Sequence, residues 1–111
     1  SSGTWLMGVP YLLDYVTTKA AVVGLTRALA REIGEHNIRV NAISPGFTLT
    51  EASKTLKSTP PGLAQMLADQ TSLKRNQQPE DLVGACVFLA SDDSNFISGQ
   101  LLNVDGGWAM H

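Results

Sequence analysis

Tyr15 and Lys19 stand four residues apart at the head of an apolar-periodic stretch, "YVTTKAAVVGLTRALAREIG". On a helix, positions i and i+4 share a face, so the Lys19 ammonium can lie beside the Tyr15 phenol. A free phenol titrates near about 10, and a fixed positive charge beside it favours the phenolate, which suits such a tyrosine to general acid/base work near neutrality. The same spacing is also what a simple contact on a helix surface produces, so the pair alone leaves catalysis and packing both open. Two adjacent serines, Ser1 and Ser2, precede the pair, the second of them thirteen residues before Tyr15. The chain opens without a methionine, as a piece of a longer protein or a cloning leftover would.

Few other residues invite chemistry. Cys86 is the single cysteine, which excludes a disulfide within the chain, and its apolar helical surroundings predict a buried packing role. His36 and His111 are far apart and isolated, which predicts surface loop positions and no metal site. The 111 residues are 43% hydrophobic with a formal charge of -2, enough for one globular domain. Ten acidic residues outnumber eight scattered basic ones, so no basic track for nucleic acid is expected. The apolar runs are too short for a membrane span, and with no leader the expectation is a cytoplasmic protein.

The elements that must position Tyr15 and Lys19 follow from periodicity. A helix is expected over 15–33, with Ala21, Val22, Leu25, Ala28, Leu29 and Ile33 on its apolar positions and Gly34 as its stop. "IRVNAI", 38–43, alternates as a strand does and enters a loop at "SPG". Residues 51–72 hold two short helical segments separated by Pro60-Pro61-Gly62. Pro79 opens a further helix, "EDLVGACVFLA", and "QLLNV", 100–104, is a last strand closed by Asp105-Gly106-Gly107. This order, without internal repeat, predicts the latter part of an α/β domain with a parallel sheet.

From end to end the chain resembles the short-chain dehydrogenase/reductase family. That family places its catalytic serine thirteen residues before Tyr-x-x-x-Lys, which selects Ser2 over Ser1. It continues with a helix like "KAAVVGLTRALARE", a strand like "IRVNAISPG", a Pro-Gly-x-x-x-Thr stretch, a "PEDL…VFLASD" helix and "SGQLLNVDGG", all present here in order. The resemblance implies a single domain over 1–111 that is the C-terminal part of a Rossmann-like, doubly wound parallel sheet. It also implies an oxidoreductase that interconverts an alcohol and a ketone or aldehyde using NAD or NADP. On matching positions, Tyr15 would exchange a proton with the substrate oxygen, Ser2 would polarise that oxygen, and Lys19 would hold the nicotinamide ribose and lower the Tyr15 pKa. Pro45 and Gly46 would turn the backbone beneath the nicotinamide, while the Thr48 backbone and the Thr50 hydroxyl would meet its carboxamide. Thr48 departs from the family's usual Ile or Val, a change that a backbone contact survives. Asn41 is expected to bond neighbouring backbone rather than to take part in catalysis.

The family's Gly-rich pyrophosphate loop, its NAD/NADP-selecting residue and its active-site Asn would all precede Ser1, and no G-x-G-x-x-G occurs here. Two expectations follow: a longer parent enzyme, or a catalytically inactive, self-associating fragment of one. Either is expected to form a homo-oligomer. Between Ser2 and Tyr15, Trp5, Leu6, Met7, Tyr11 and Leu12 either line the pocket, favouring an apolar or aromatic ketone, or pack elsewhere. Residues 51–72 would form the substrate lid.

Overall fold

The computed structural model describes residues 1–55 and 60–110, the side chain of Lys54 excepted, so His111 lies outside the described residues. Two helices come first: α1 (Thr4–Met7), a single turn, and α2 (Leu13–Glu32). α2 begins two residues earlier than expected, as Val16 N–H already donates to Leu12 O at 2.7 Å. Its end also differs. Gly34 does not reverse the chain; it opens a 3-10 turn, Gly34–His36, and Asn37 takes the left-handed conformation instead, with φ 59°.

The sheet has two described strands, β1 (Ala42–Pro45) and β2 (Leu101–Val104), paired in parallel with Ala42 opposite Leu101 and Pro45 opposite Val104. The crossover between them carries α3 (Glu51–Thr55), α4 (Leu63–Gln70), a 3-10 turn at Pro79–Leu82 and α5 (Val83–Ala90). Helices joining parallel strands are the α/β pattern expected from the order of elements.

The first strand is displaced from its expected position, 38–43, to 42–45. Val40 and Asn41 reach the other segment through side chains and a bend: Val40 N–H donates to Ser98 Oγ at 3.2 Å, and Asn41 Nδ2 donates to Ile97 O at 2.9 Å. Gly99, at φ 72°, also donates its N–H to Val40 O at 2.7 Å, and the regular ladder starts where Ala42 N–H meets Gln100 O. From there alternate residues donate to β2, ending with Gly46 N–H to Val104 O at 3.1 Å. Pro45 falls between donors and its missing N–H costs the ladder nothing. Asn41 does bond neighbouring backbone, since Gln100 N–H also donates to its Oδ1.

The interior is small and partly polar. Val23, Ala42, Ala68 and Ala109 are buried together with Ser2, Thr26, Ser44, Gln77, Ser94 and Asp105, whereas Leu25, Val87 and Phe96 are exposed. Cys86 is exposed too, contrary to expectation, because α5 is apolar around its circumference and the described chain covers only part of it. His36 is at the surface as expected.

Candidate active site

Beside the C-terminal ends of β1 and β2 lies an open cleft of about 970 Å³. Its floor is Pro45, Gly46, Phe47 and Thr48, and α4 contributes Leu63, Met66 and Leu67 from one side. Ser2 enters from the chain start and Tyr15 from the first turn of α2, so the two stand in one cleft.

Ser1 and Ser2 differ sharply. The Ser1 hydroxyl donates to Lys19 O at 2.8 Å, tying it to the α2 backbone, and its backbone nitrogen donates to Ile43 O at 2.9 Å. Ser2 is buried, lines the cleft, and accepts hydrogen bonds from Thr4 N–H and Thr4 Oγ1. Lys19 Nζ sits over the Tyr15 ring, 5.2 Å from its centroid, in the geometry of a cation–π contact. Tyr15 itself is 42% exposed. Lys19 approaches the cleft only through that ring, as it is absent from the described lining.

Gly46 is favoured by the fold on its own account: a Cβ there would lie 3.0 Å from Asp105 Cα, tight enough that the end of β2 would have to give way. Close packing of the loop against the end of β2 therefore explains this glycine without any ligand. Thr48 Oγ1 donates to Gly46 O and to Gln77 Oε1, while Gln77 Nε2 donates to Val104 O at 2.6 Å. Leu49 N–H is bound to Gln77 O at 2.9 Å, so the Thr48 N–H, alternating with it along an extended segment, faces the opposite side. Thr50 is placed differently. Its hydroxyl accepts Ser53 N–H at 3.0 Å as the cap of α3, and it does not line the cleft.

Of the expected pocket residues, Met7 and Leu12 line the cleft, while Trp5, Leu6 and Tyr11 do not; Tyr11 is fully solvent-facing at φ 65°. Within 51–72, α4 borders the cleft, α3 does not, and residues 56–59 lie outside the described residues. Phe47, Gln77, Trp108 and Asp105 were not singled out from the sequence. Only Asp105 carried a signal, as an acidic residue before Gly-Gly: its carboxylate accepts Gly107 and Ala109 N–H, each at 2.9 Å, and Trp108 N–H at 3.3 Å.

The formally charged residues of the described lining are Arg75, Asp81 and Asp105, and each is engaged. Arg75 makes a two-pronged pair with Asp81 at 2.7 and 2.8 Å. That pair, with Gln78 N–H as a further donor, holds the Asp81 carboxyl down at about 2. What remains facing the cleft is a largely apolar wall with a few hydroxyls, those of Ser2 and Tyr15 among them. Among the described residues no group of three or more His, Cys, Asp or Glu could hold a metal, and no helix is long and apolar enough to cross a membrane.

Comparison with known proteins agrees with this architecture. The family model described as enoyl-(acyl carrier protein) reductase matches residues 1–109. An uncharacterized oxidoreductase of Mycobacterium tuberculosis is 47% identical over 107 residues, covering 96% of this chain and 41% of the relative. A 3-oxoacyl-(acyl-carrier-protein) reductase of Chlamydia trachomatis is 42% identical over 98% of this chain and 43% of its own length. Among solved structures, a 4-hydroxyisoleucine dehydrogenase complexed with NADH and succinate superposes with a TM-score of 0.84 at 39% identity, covering 97% of this chain and 43% of that one. The chain belongs to the short-chain dehydrogenase/reductase family and corresponds to the C-terminal part of its Rossmann-like fold. It spans less than half the length of these relatives.

Proposed function

We propose that this chain carries the proton-transfer and substrate side of an NAD(P)-dependent oxidoreductase that interconverts an alcohol with a ketone or aldehyde. The supporting observation is that Ser2 and Tyr15 border one cleft while Lys19 lies over the Tyr15 ring. Tyr15 gives its phenolic proton to the carbonyl oxygen as that oxygen becomes an alkoxide, and Ser2 donates a hydrogen bond to the same atom. A nicotinamide bound on the Pro45–Thr48 floor would supply or accept the hydride. The outward Thr48 N–H and the position of Lys19 behind Tyr15 suit its carboxamide and ribose. Thr50 fits this role least, because its side chain caps α3 and does not line the cleft. Either NAD or NADP agrees with the family, and the relative holding NADH is one instance.

The largely apolar wall, with its charged groups hydrogen-bonded within the chain, supports an apolar or aromatic ketone over a sugar or charged acid, and α4 is placed to act as its lid. Exposed Leu25, Val87 and Phe96 support assembly with further copies.

The test uses the protein extended through the sequence encoded upstream of Ser1 to the length of its relatives. Tyr15→Phe should lower turnover by about 10²- to 10⁴-fold, the usual cost of a lost acid/base group. Turnover within about threefold of the parent would sink the assignment.

A further inference from the structure

The reading above makes Ser2 a hydrogen-bond donor to the substrate oxygen, and it leaves open what turns the Ser2 proton that way. A hydroxyl has one proton to give and two lone pairs to receive with. The Thr4 backbone N–H, which can only donate, reaches Ser2 Oγ at 3.4 Å, and Thr4 Oγ1 donates to the same atom at 3.2 Å. Both contacts are long for their kinds, so they act by occupying the acceptor side of Ser2 rather than by strength. Ser2 is buried and borders the cleft together with Thr4, and among the described residues the Thr4 hydroxyl is the one side chain that shares a hydrogen bond with it. With the Thr4 N–H fixed on one lone pair of Ser2 Oγ, the Thr4 hydroxyl takes the other when the Ser2 proton turns to an oxygen in the cleft.

We propose that Thr4 is a positioning residue that aims the Ser2 hydroxyl proton at the substrate oxygen. α1 fixes the geometry: it starts at Thr4, so the Thr4 N–H is one of the helix's unpaired first donors, and Gly3 before it offers no side-chain cap. The Ser2 oxygen fills that place. The inference rests on the role proposed for Ser2, and the experiment separates the two.

In the extended protein, initial rates of reduction of 2,2,2-trifluoroacetophenone with NADH and with NADPH are measured for Thr4→Val, Thr4→Ser, Ser2→Ala and the double variant Ser2→Ala/Thr4→Val. Thermal midpoints confirm that each variant is folded. Ser2→Ala should lower kcat by about 10²-fold or more, as loss of a donor to a developing oxyanion does. Thr4→Val keeps the shape and the backbone donor, and should lower kcat by about 3- to 10-fold with KM for the ketone within about twofold, the scale of one neutral hydrogen bond. Thr4→Ser should recover most of that loss. On the Ser2→Ala background Thr4→Val should cost nothing more, because it has no proton left to aim.

A Thr4→Val enzyme at or above parental kcat, a loss confined to KM, or an equal loss on the Ser2→Ala background overturns the proposal. If Ser2→Ala is crippled and Thr4→Val is not, only the role of Thr4 falls. If the parent does not reduce the ketone, or Ser2→Ala matches it, the reading of Ser2 falls and the role of Thr4 with it.

Discussion

The cleft end of this chain and the outer faces of its helices are built on opposite terms. At the cleft end, Gln77 and Asp105 are buried polar groups whose hydrogen bonds are satisfied within the chain, and Gly46 packs tightly against the end of β2. On the outer faces of α2 and α5, Leu25, Val83 and Val87 stand in solvent, each more than half exposed. Buried polar groups are costly unless paired, and Gln77 and Asp105 are paired within the chain, whereas the buried Ser44 Oγ and Trp5 Nε1 find no partner among the described residues. Bare apolar faces have no such closure and call for another surface.

The sharpest way to break the contrast is to remove Asp105. Three backbone N–H groups depend on its carboxylate, and the turn they form brings Trp108 and Ala109 against Gly3, where an added Cβ would lie 3.2 Å from Ala109 Cβ. In the extended protein Asp105→Ala should lower the unfolding free energy by about 2–4 kcal/mol, measured by urea denaturation, because buried donors lose their acceptor. Asp105→Asn should fall between the two, since one amide oxygen still accepts while its NH₂ faces a donor. A loss below about 1 kcal/mol would show that packing around Gly3 holds the turn without the carboxylate.

The outer faces should respond in the other sense. Leu25→Lys and Val87→Lys place charges where the described chain leaves apolar carbon in water, so each should change the intrinsic stability by about 0.5 kcal/mol or less. If these faces meet further copies, the same changes should lower the mass seen by light scattering at micromolar concentration, because a buried, unpaired ammonium opposes the contact. An unchanged mass would place the assembly surface elsewhere.

Much of the fold was legible because the strongest signals were local. α2 carries a long apolar period, and the Pro60-Pro61-Gly62 break falls where α4 begins, with Gly62 at φ 82°. β1 was misplaced because alternation in "IRVNAI" says nothing about where the facing chain, past Gly99, begins the regular ladder. Cys86 was misjudged for the same kind of reason: an apolar run shows what a helix would bury, not whether the chain supplies the cover. At the cleft, the meeting of Tyr15 and Lys19 was legible from their i, i+4 spacing on one helix, and Ser2 was singled out by the family resemblance. Phe47, Gln77 and Trp108 were not, because their place on the cleft wall arises from tertiary packing between segments far apart in sequence. Thr4 was hidden differently, since a threonine two residues after a serine looks ordinary until its hydroxyl is seen to reach back.

The smallest expected effect concerns the rim of the cleft, where the Arg75–Asp81 pair belongs to neither extreme, being satisfied yet open to solvent. Asp81 titrates at about 2 instead of its ordinary 3.8, first through its hydrogen bonds with Arg75 and then through Gln78 N–H. The same partner raises the Arg75 value, so the guanidinium stays charged throughout. A depressed carboxyl pKa contributes stability that is fully present above the unfolded value and is lost as pH falls through the folded one. The contribution should therefore be constant above about pH 5, shrink between about pH 4 and pH 2, and vanish below that range. Asp81→Asn keeps an oxygen for Gln78 N–H while removing the charge, so the difference in urea midpoint between parent and variant isolates the ion pair. That difference should be small at pH 7, fade over the stated window, and shrink with added salt, as expected of a screened surface pair. A difference that persisted unchanged to pH 2 would mean that Asp81 acts through its shape at the start of the Pro79 turn and not through its charge.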